Sequence, residues 1–309
     1  MKKVVASLKK NVTTLPEFVK LCKMTQTELK HFLFEELKKE GYEPISADGF
    51  LYAKGEVPVL LTAHMDTVHK EPVKDFYEYD GKLSSPQGIG GDDRCGIYMI
   101  LQIIKEIKCS VLFCEDEEIG SVGSDKFCRH KDLIEELSKL NYMIELDRRG
   151  ENDAVFYDCD NEEFTDFILN NTGCVEKTGS FSDISVLAPE VGIAAVNLSC
   201  GYYNEHALKE YVVLNKMLNM IETVKELIKA DGQKQFEYIK SEYGGLLRRR
   251  SGYCEITELL YVVYVNEEEV YVEDYVEGKT REECWKNFFF QNPDVCFNQV
   301  EDYFYDYYY

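Results

Sequence analysis

The chain has 309 residues, enough for one large domain or a domain with an appendage, and its 45% hydrophobic content is ordinary for a protein with a buried core. Asp and Glu number 57 against 35 Lys and Arg, a formal net charge of −22 that argues against nucleic acid and anionic membrane surfaces as partners. The 11 cysteines are scattered with no Cys-x-x-Cys, so neither a disulfide framework nor a zinc ribbon is expected. A reducing cytoplasm is the expected compartment. No secretory leader is expected, because Val4, Val5 and Ala6 give way at once to Ser7 and Lys9, and no apolar run approaches membrane-spanning length.

Residues 15–41 predict helix: Thr25 and Glu28 have capping-box spacing, Leu29, Phe32, Leu33 and Leu37 form an apolar stripe, and Gly41 is a C-terminal stop. Phe50, Leu51 and Tyr52 predict a short edge strand. Val59, Leu60 and Leu61 run on without polar alternation, as in a strand buried on both faces, with Pro58 its first residue and His64 and Asp66 at its end. Residues 66–85 read as a polar loop. Gly88, Gly90 and Gly91 then open a helix whose stripe is Gly96, Ile100, Ile103, Ile104 and Ile107.

Residues 109–114 predict a second buried strand, running into Glu115, Asp116, Glu117 and Glu118, and residues 124–140 a helix. A third strand over 142–146 ends at Asp147, Arg148 and Arg149. A fourth is expected over 153–159, a helix over 162–169, and another strand over 192–199 leading to His206. A long helix follows, burying Val213, Leu214, Met217, Leu218, Ile221, Val224, Leu227 and Ile228. Strands alternating with helices predict the α/β class, a mostly parallel central sheet with helices on both faces. Composition changes after about Tyr243. Residues 259–265 and 270–276 alternate Tyr and Val around an acidic turn, and 280–290 read as helix, so a small C-terminal ββα appendage is expected.

A lone His-x-Asp at a strand end is most often just a capped end. Here four places along the sheet each deliver a metal ligand, His64 with Asp66, Asp92, Glu117 with Glu118, and Asp147, and His206 follows a later strand. Imidazole and carboxylate ligation suits zinc, and two metals about 3.5–4 Å apart need one bridging carboxylate and further ligands to cap each ion. The count matches and leaves one carboxylate over as a base.

The segments LLTAHMDTV, GIGGDDRCG, FCEDEEIGS, IELD, GSFSD and NEHALKEYV together resemble the co-catalytic dizinc exopeptidases and deacylases, among them peptidase T, carboxypeptidase G and aminoacylase, over residues 15–230. The resemblance implies that His64 and Asp147 bind one Zn2+, that Glu118 and His206 bind the other, and that Asp92 bridges them; Co2+ or Mn2+ could replace zinc. It also implies that Asp66 orients the His64 ring, that Glu117 is the general base, and that Ser182 and Asp183 line the site. Residues 1–243 would be the catalytic domain and 252–309 an acidic, Tyr-rich appendage.

Asp93 is expected to be a helix-start carboxylate paired with Arg94, and His69 not to be a ligand. The intervals 64–92 and 147–182 are too short for the lid or dimerisation domain of many relatives, so the substrate pocket must be built from the chain's own loops, the tail or a neighbouring subunit. The implied activity is that of an exopeptidase, aminopeptidase or dipeptidase on small peptides. The alternatives are an N-acyl amino acid deacylase using the same site and a non-catalytic binding protein. Arg148 and Arg149 either hold a substrate carboxylate or pair with the acidic surface. The tail either forms a homo-oligomer interface or covers a sheet edge.

Overall fold

Capping chemistry divides the first predicted helix in two. In the computed structural model, which describes residues 9–10, 15–79, 81–230, 232–241, 258–264, 273–278 and 300–302, β1 (Lys9–Lys10) precedes α1 (Pro16–Cys22). A fresh helix, α2 (Gln26–Lys39), starts where the Thr25 hydroxyl accepts the Glu28 N–H and the Glu28 carboxylate accepts the Thr25 N–H. Gly41, at φ 86°, ends it as predicted. Next come β2 (Ile45–Ala47), β3 (Phe50–Ala53) and β4 (Val57–His64), in which Pro58 is the second residue rather than the first.

The stretch expected to be a loop contains a hairpin, β5 (Tyr77–Tyr79) and β6 (Lys82–Ser84), ahead of α3 (Gly91–Ile104) and β7 (Cys109–Cys114). The single helix predicted over 124–140 is two, α4 (Val122–Cys128) and α5 (Lys131–Leu137), with the chain turning at Arg129 and His130. Then follow β8 (Tyr142–Arg148), β9 (Asp153–Val155) and α6 (Glu162–Thr172), all near their predicted places. β10 (Val175–Lys177) and α7 (Asp183–Val191) were not predicted; β11 (Ala195–Ser199) was. The short pair β12 (Tyr202–Tyr203) and β13 (Tyr211–Val213) leads into the predicted long helix α8 (Leu214–Lys229).

Eight strands form the main sheet in the order β10-β9-β11-β8-β4-β7-β3-β2. Its centre, β11, β8, β4 and β7, is parallel, and β3 is antiparallel to β7. β3 is therefore one strand in from the edge, which β2 occupies. Sequence alternation now acquires its meaning: Val59, Leu61 and Ala63 of β4 pack with residues of α1, α2, α3 and α8, while Leu60 packs with residues of α4, α5 and α7. Each of these side chains leaves water completely, worth about 1.5–3 kcal/mol for a leucine. Helices thus cover both faces, and the level register of His64 with Cys114 brings the carboxyl ends of β4 and β7 to one rim.

A second, antiparallel sheet, β1-β5-β6-β13-β12, closes the loop 204–210 between β12 and β13. Residues 249–309 form a separate compact unit in which β14 (Glu258–Tyr264) pairs antiparallel with β15 (Glu273–Gly278) and with β16 (Val300–Asp302). The hairpin is as predicted; the helix expected over 280–290 lies outside the described residues. Among the described residues every cysteine is buried, and no helix is long and apolar enough to cross a membrane.

One glycine sets how closely α3 lies on the sheet. A Cβ at Gly96 would stand 1.8 Å from the Leu146 carbonyl oxygen of β8, so only glycine lets the first turn of α3 sit flush against that strand's end. Gly96→Ala should therefore destabilise the protein by about 1–3 kcal/mol, read as a lower urea midpoint. An unchanged midpoint would contradict this packing.

Candidate metal centre

The strand ends named by the sequence meet at that rim. β4 delivers His64 and, two residues on, Asp66; the loop after β7 delivers Glu117 and Glu118; β8 delivers Asp147; the start of α3 delivers Asp92; and loop 204–210 delivers His206. The Asp92–Asp93 peptide bond is cis. Asp116, Asn204 and His206 adopt left-handed backbone, at φ 59°, 59° and 60°, a conformation costly for non-glycine residues and typical of sites where a side chain must be aimed.

Asp92 is the hinge of the cluster. Its Oδ1 lies 2.9 Å from His64 Nε2 and its Oδ2 lies 3.3 Å from His206 Nε2, so one carboxylate faces both imidazoles. Each ring also has an acid of its own: Asp147 Oδ1 is 3.4 Å from His64 Nε2, and Glu118 Oε2 is 3.0 Å from His206 Nε2. All five expected ligands are thus brought together. The atoms of His64, Asp92 and Glu118, and those of His64, Asp93 and Asp147, lie within 4.8 Å of one another. Asp66 organises the rest: its Oδ1 is 3.1 Å from His64 Nδ1, and its two oxygens accept the N–H groups of Glu117 and Glu118 at 3.0 Å each.

Asp93 departs from expectation. It does not pair with Arg94; fully buried, it accepts N–H groups from His64 at 3.2 Å and Gly96 at 2.9 Å. The Arg94 guanidinium instead donates to the carbonyls of Met65, Asp66 and Met24, groups the end of β4 and the turn before α2 would otherwise leave unbonded. Ser182 and Asp183 are both buried. Ser182 donates to Glu145 and lies 3.2 Å from Asp147 Oδ2, so it braces Asp147 from behind. Arg148 pairs with Asp153 at 3.4 Å and Arg149 with Glu205 at 2.6 Å, giving both guanidinium groups carboxylates of the protein itself.

Sequence reasoning missed the residues that hold the candidate ligands through the backbone. Glu210, fully buried, accepts the N–H groups of Gly90 and Asp92, both at 2.9 Å, and pairs with His69 Nε2 at 2.9 Å. His69 accordingly stands beneath the site, its ring against Gly88, outside the cluster. Asn197 brackets Asp147, accepting its N–H at 3.0 Å and donating to its carbonyl at 3.2 Å, and Tyr202 donates to the same carbonyl. Glu210 did carry a signal, its place four residues after His206 within NEHALKEYV.

The electrostatics call for cations. Among the described residues, no Lys or Arg forms an ion pair with Asp66, Asp92, Asp93, Glu117, Glu118 or Asp147. Glu118 Oε1 is buried without a hydrogen-bond partner. Burial, then repulsion by neighbouring carboxylates, pushes Glu117 up to about 9 and Asp147 up to about 7. Hydrogen bonds to Asp92 and Glu118 raise His206 to about 11. For Asp66, burial acts upward, but the His64 ring and the two loop amides outweigh it and hold the carboxyl below its ordinary value. Uncompensated buried charge must be paired, protonated or bound to metal, and this donor set of imidazoles and carboxylates fits divalent ions.

The fold is of the zinc-exopeptidase class. Within that class, residues 51–173 match the model of peptidase family M28. Similar solved structures include the aminopeptidase PepT of Bacillus cereus, at 16% identity over 69% of this chain and 96% of that one with a TM-score of 0.57. A tripeptidase of Staphylococcus aureus gives 16% identity, 69% and 96% coverage and a TM-score of 0.55. An aminopeptidase of the archaeon Desulfurococcus kamchatkensis gives 14%, 69% and 95%, and 0.51. No curated protein matches the chain by sequence.

The raised groups predict a pH dependence. Glu117 and Asp147 bind protons more tightly folded than at their ordinary values of 4.5 and 3.8, and His206 more tightly than at 6.5. The contribution of the two carboxyls is therefore full below about pH 4 and is lost as pH rises through about 7 and 9, while that of His206 is full below about pH 6.5 and is lost only through about 11. The chelated protein should show a urea midpoint that falls from pH 5 to pH 9, and saturating zinc should raise the midpoint more at pH 8 than at pH 5. A midpoint rising with pH in the chelated protein would contradict these assignments.

Proposed function

We propose that the protein is a metal-dependent exopeptidase, an aminopeptidase or dipeptidase hydrolysing small peptides. The observation that carries this reading is the Asp92 carboxylate facing His64 with one oxygen and His206 with the other. Two divalent cations, zinc or else cobalt or manganese, held by His64, Asp92, Glu118, Asp147 and His206, would polarise the scissile carbonyl and acidify the attacking water. Agreement of residues 51–173 with a peptidase family and likeness to an aminopeptidase and a tripeptidase support a peptide substrate.

Glu117 is the general base. No imidazole forms an ion pair with it, and its raised proton affinity, near 9, suits a group that must accept a proton and later return it. It takes a proton from the water as the C–O bond forms and delivers it to the leaving amine as the C–N bond breaks. Asp66 supports both halves: it orients the His64 ring and, through the Glu117 amide, fixes where the base begins.

Glu117→Gln keeps the shape and removes the base. The variant should bind as much zinc as the parent while peptide turnover falls by about 10²–10⁴-fold. Retained turnover would remove Glu117 from this role.

A further inference from the structure

Among the described residues, the three most exposed large apolar side chains are Ile119 at 75%, Leu208 at 67% and Phe181 at 50%. Single exposed apolar residues are ordinary, but these come from three distant stretches of chain and each stands within two residues of the cluster or its brace: Ile119 beside Glu118, Leu208 two on from His206, Phe181 beside Ser182. The three loops meet there. Glu118 is 3.0 Å from His206, Ser182 is 3.2 Å from Asp147, and Asp147 and His206 both reach the His64–Asp92 pair. None of the three packs into either core, so the fold does not use their apolar surface.

We propose that Ile119, Phe181 and Leu208 form an apolar rim that receives the substrate side chain beside the scissile bond, making the site selective for peptides with a large aliphatic or aromatic residue there. The inference rests on the proposed peptidase activity and names its substrate class. The net charge of −22 acts in the same direction by disfavouring acidic peptides. With the loops of the main unit carrying the rim, the selectivity needs no inserted lid domain.

The test uses the full zinc-loaded chain and tripeptides that vary the residue on either side of the cleaved bond through glycine, alanine, aspartate, leucine and phenylalanine. Leucine or phenylalanine at one position should exceed glycine and aspartate in kcat/KM by about tenfold or more. Ile119→Ser, Phe181→Ser and Leu208→Ser should each lower kcat/KM for the leucine peptide about three- to tenfold, mainly through KM, and leave the alanine peptide unchanged. Val175→Ser, an exposed apolar residue of β10, should change neither. Turnover with no side-chain preference, or equal losses on every peptide, overturns the rim but leaves the peptidase standing. No turnover of any peptide overturns both. A rim variant that alters the mass in solution without altering the preference assigns these residues to contact between copies and also overturns the proposal.

Discussion

The constraint on which everything else depends is the crowding of acid at one rim of the sheet. Asp66, Asp92, Asp93, Glu117, Glu118 and Asp147 gather round the buried His64 ring and the His206 ring, with no Lys or Arg ion pair among the described residues. A protein interior tolerates such charge only when protons or metal ions answer it. In the metal-free chain the answer is protonic, since Glu117, Asp147 and both imidazoles all hold protons more tightly than usual. Divalent ions would replace those protons, and the same arrangement that strains the free protein would become a source of affinity.

The scaffold holds this charge in place mainly through main-chain hydrogen bonds. Asp66 grips the amides of Glu117 and Glu118, Glu210 those of Gly90 and Asp92, and Asn197 both sides of the Asp147 peptide. Glu118, Asp92 and Asp147 are therefore each positioned by the backbone beneath them, and Gly96 lets α3 approach β8 closely enough for Asp92 and Asp147 to share His64. Flat helical packing on both faces keeps the parallel strands level, so their ends deliver these groups at one height.

Much of this was legible in the sequence for a physical reason. Strands buried on both faces read as uninterrupted apolar runs, and in a parallel sheet the chemistry collects where those runs stop, so His64, Glu118 and Asp147 could be found from β4, β7 and β8. Short mixed strands such as β5, β6, β12 and β13 carry no such run and were invisible. The break between α1 and α2 was hidden because the apolar period continues across it. The inner place of β3 depends on non-local pairing that no local pattern records. Asp93 was misread because adjacency suggested a partner in Arg94, whereas burial sends the two side chains to different main-chain groups. Glu210 and Asn197 escaped because they act on backbone amides and carbonyls, whose positions only the fold reveals.

The central claim is that one carboxylate, Asp92, stands between two metal ions. Anomalous diffraction at the zinc edge from zinc-soaked crystals tests it directly. The account predicts two peaks about 3.5–4 Å apart on either side of the Asp92 carboxylate, one next to His64 and Asp147 and the other next to Glu118 and His206. A single peak, or peaks away from Asp92, would contradict it.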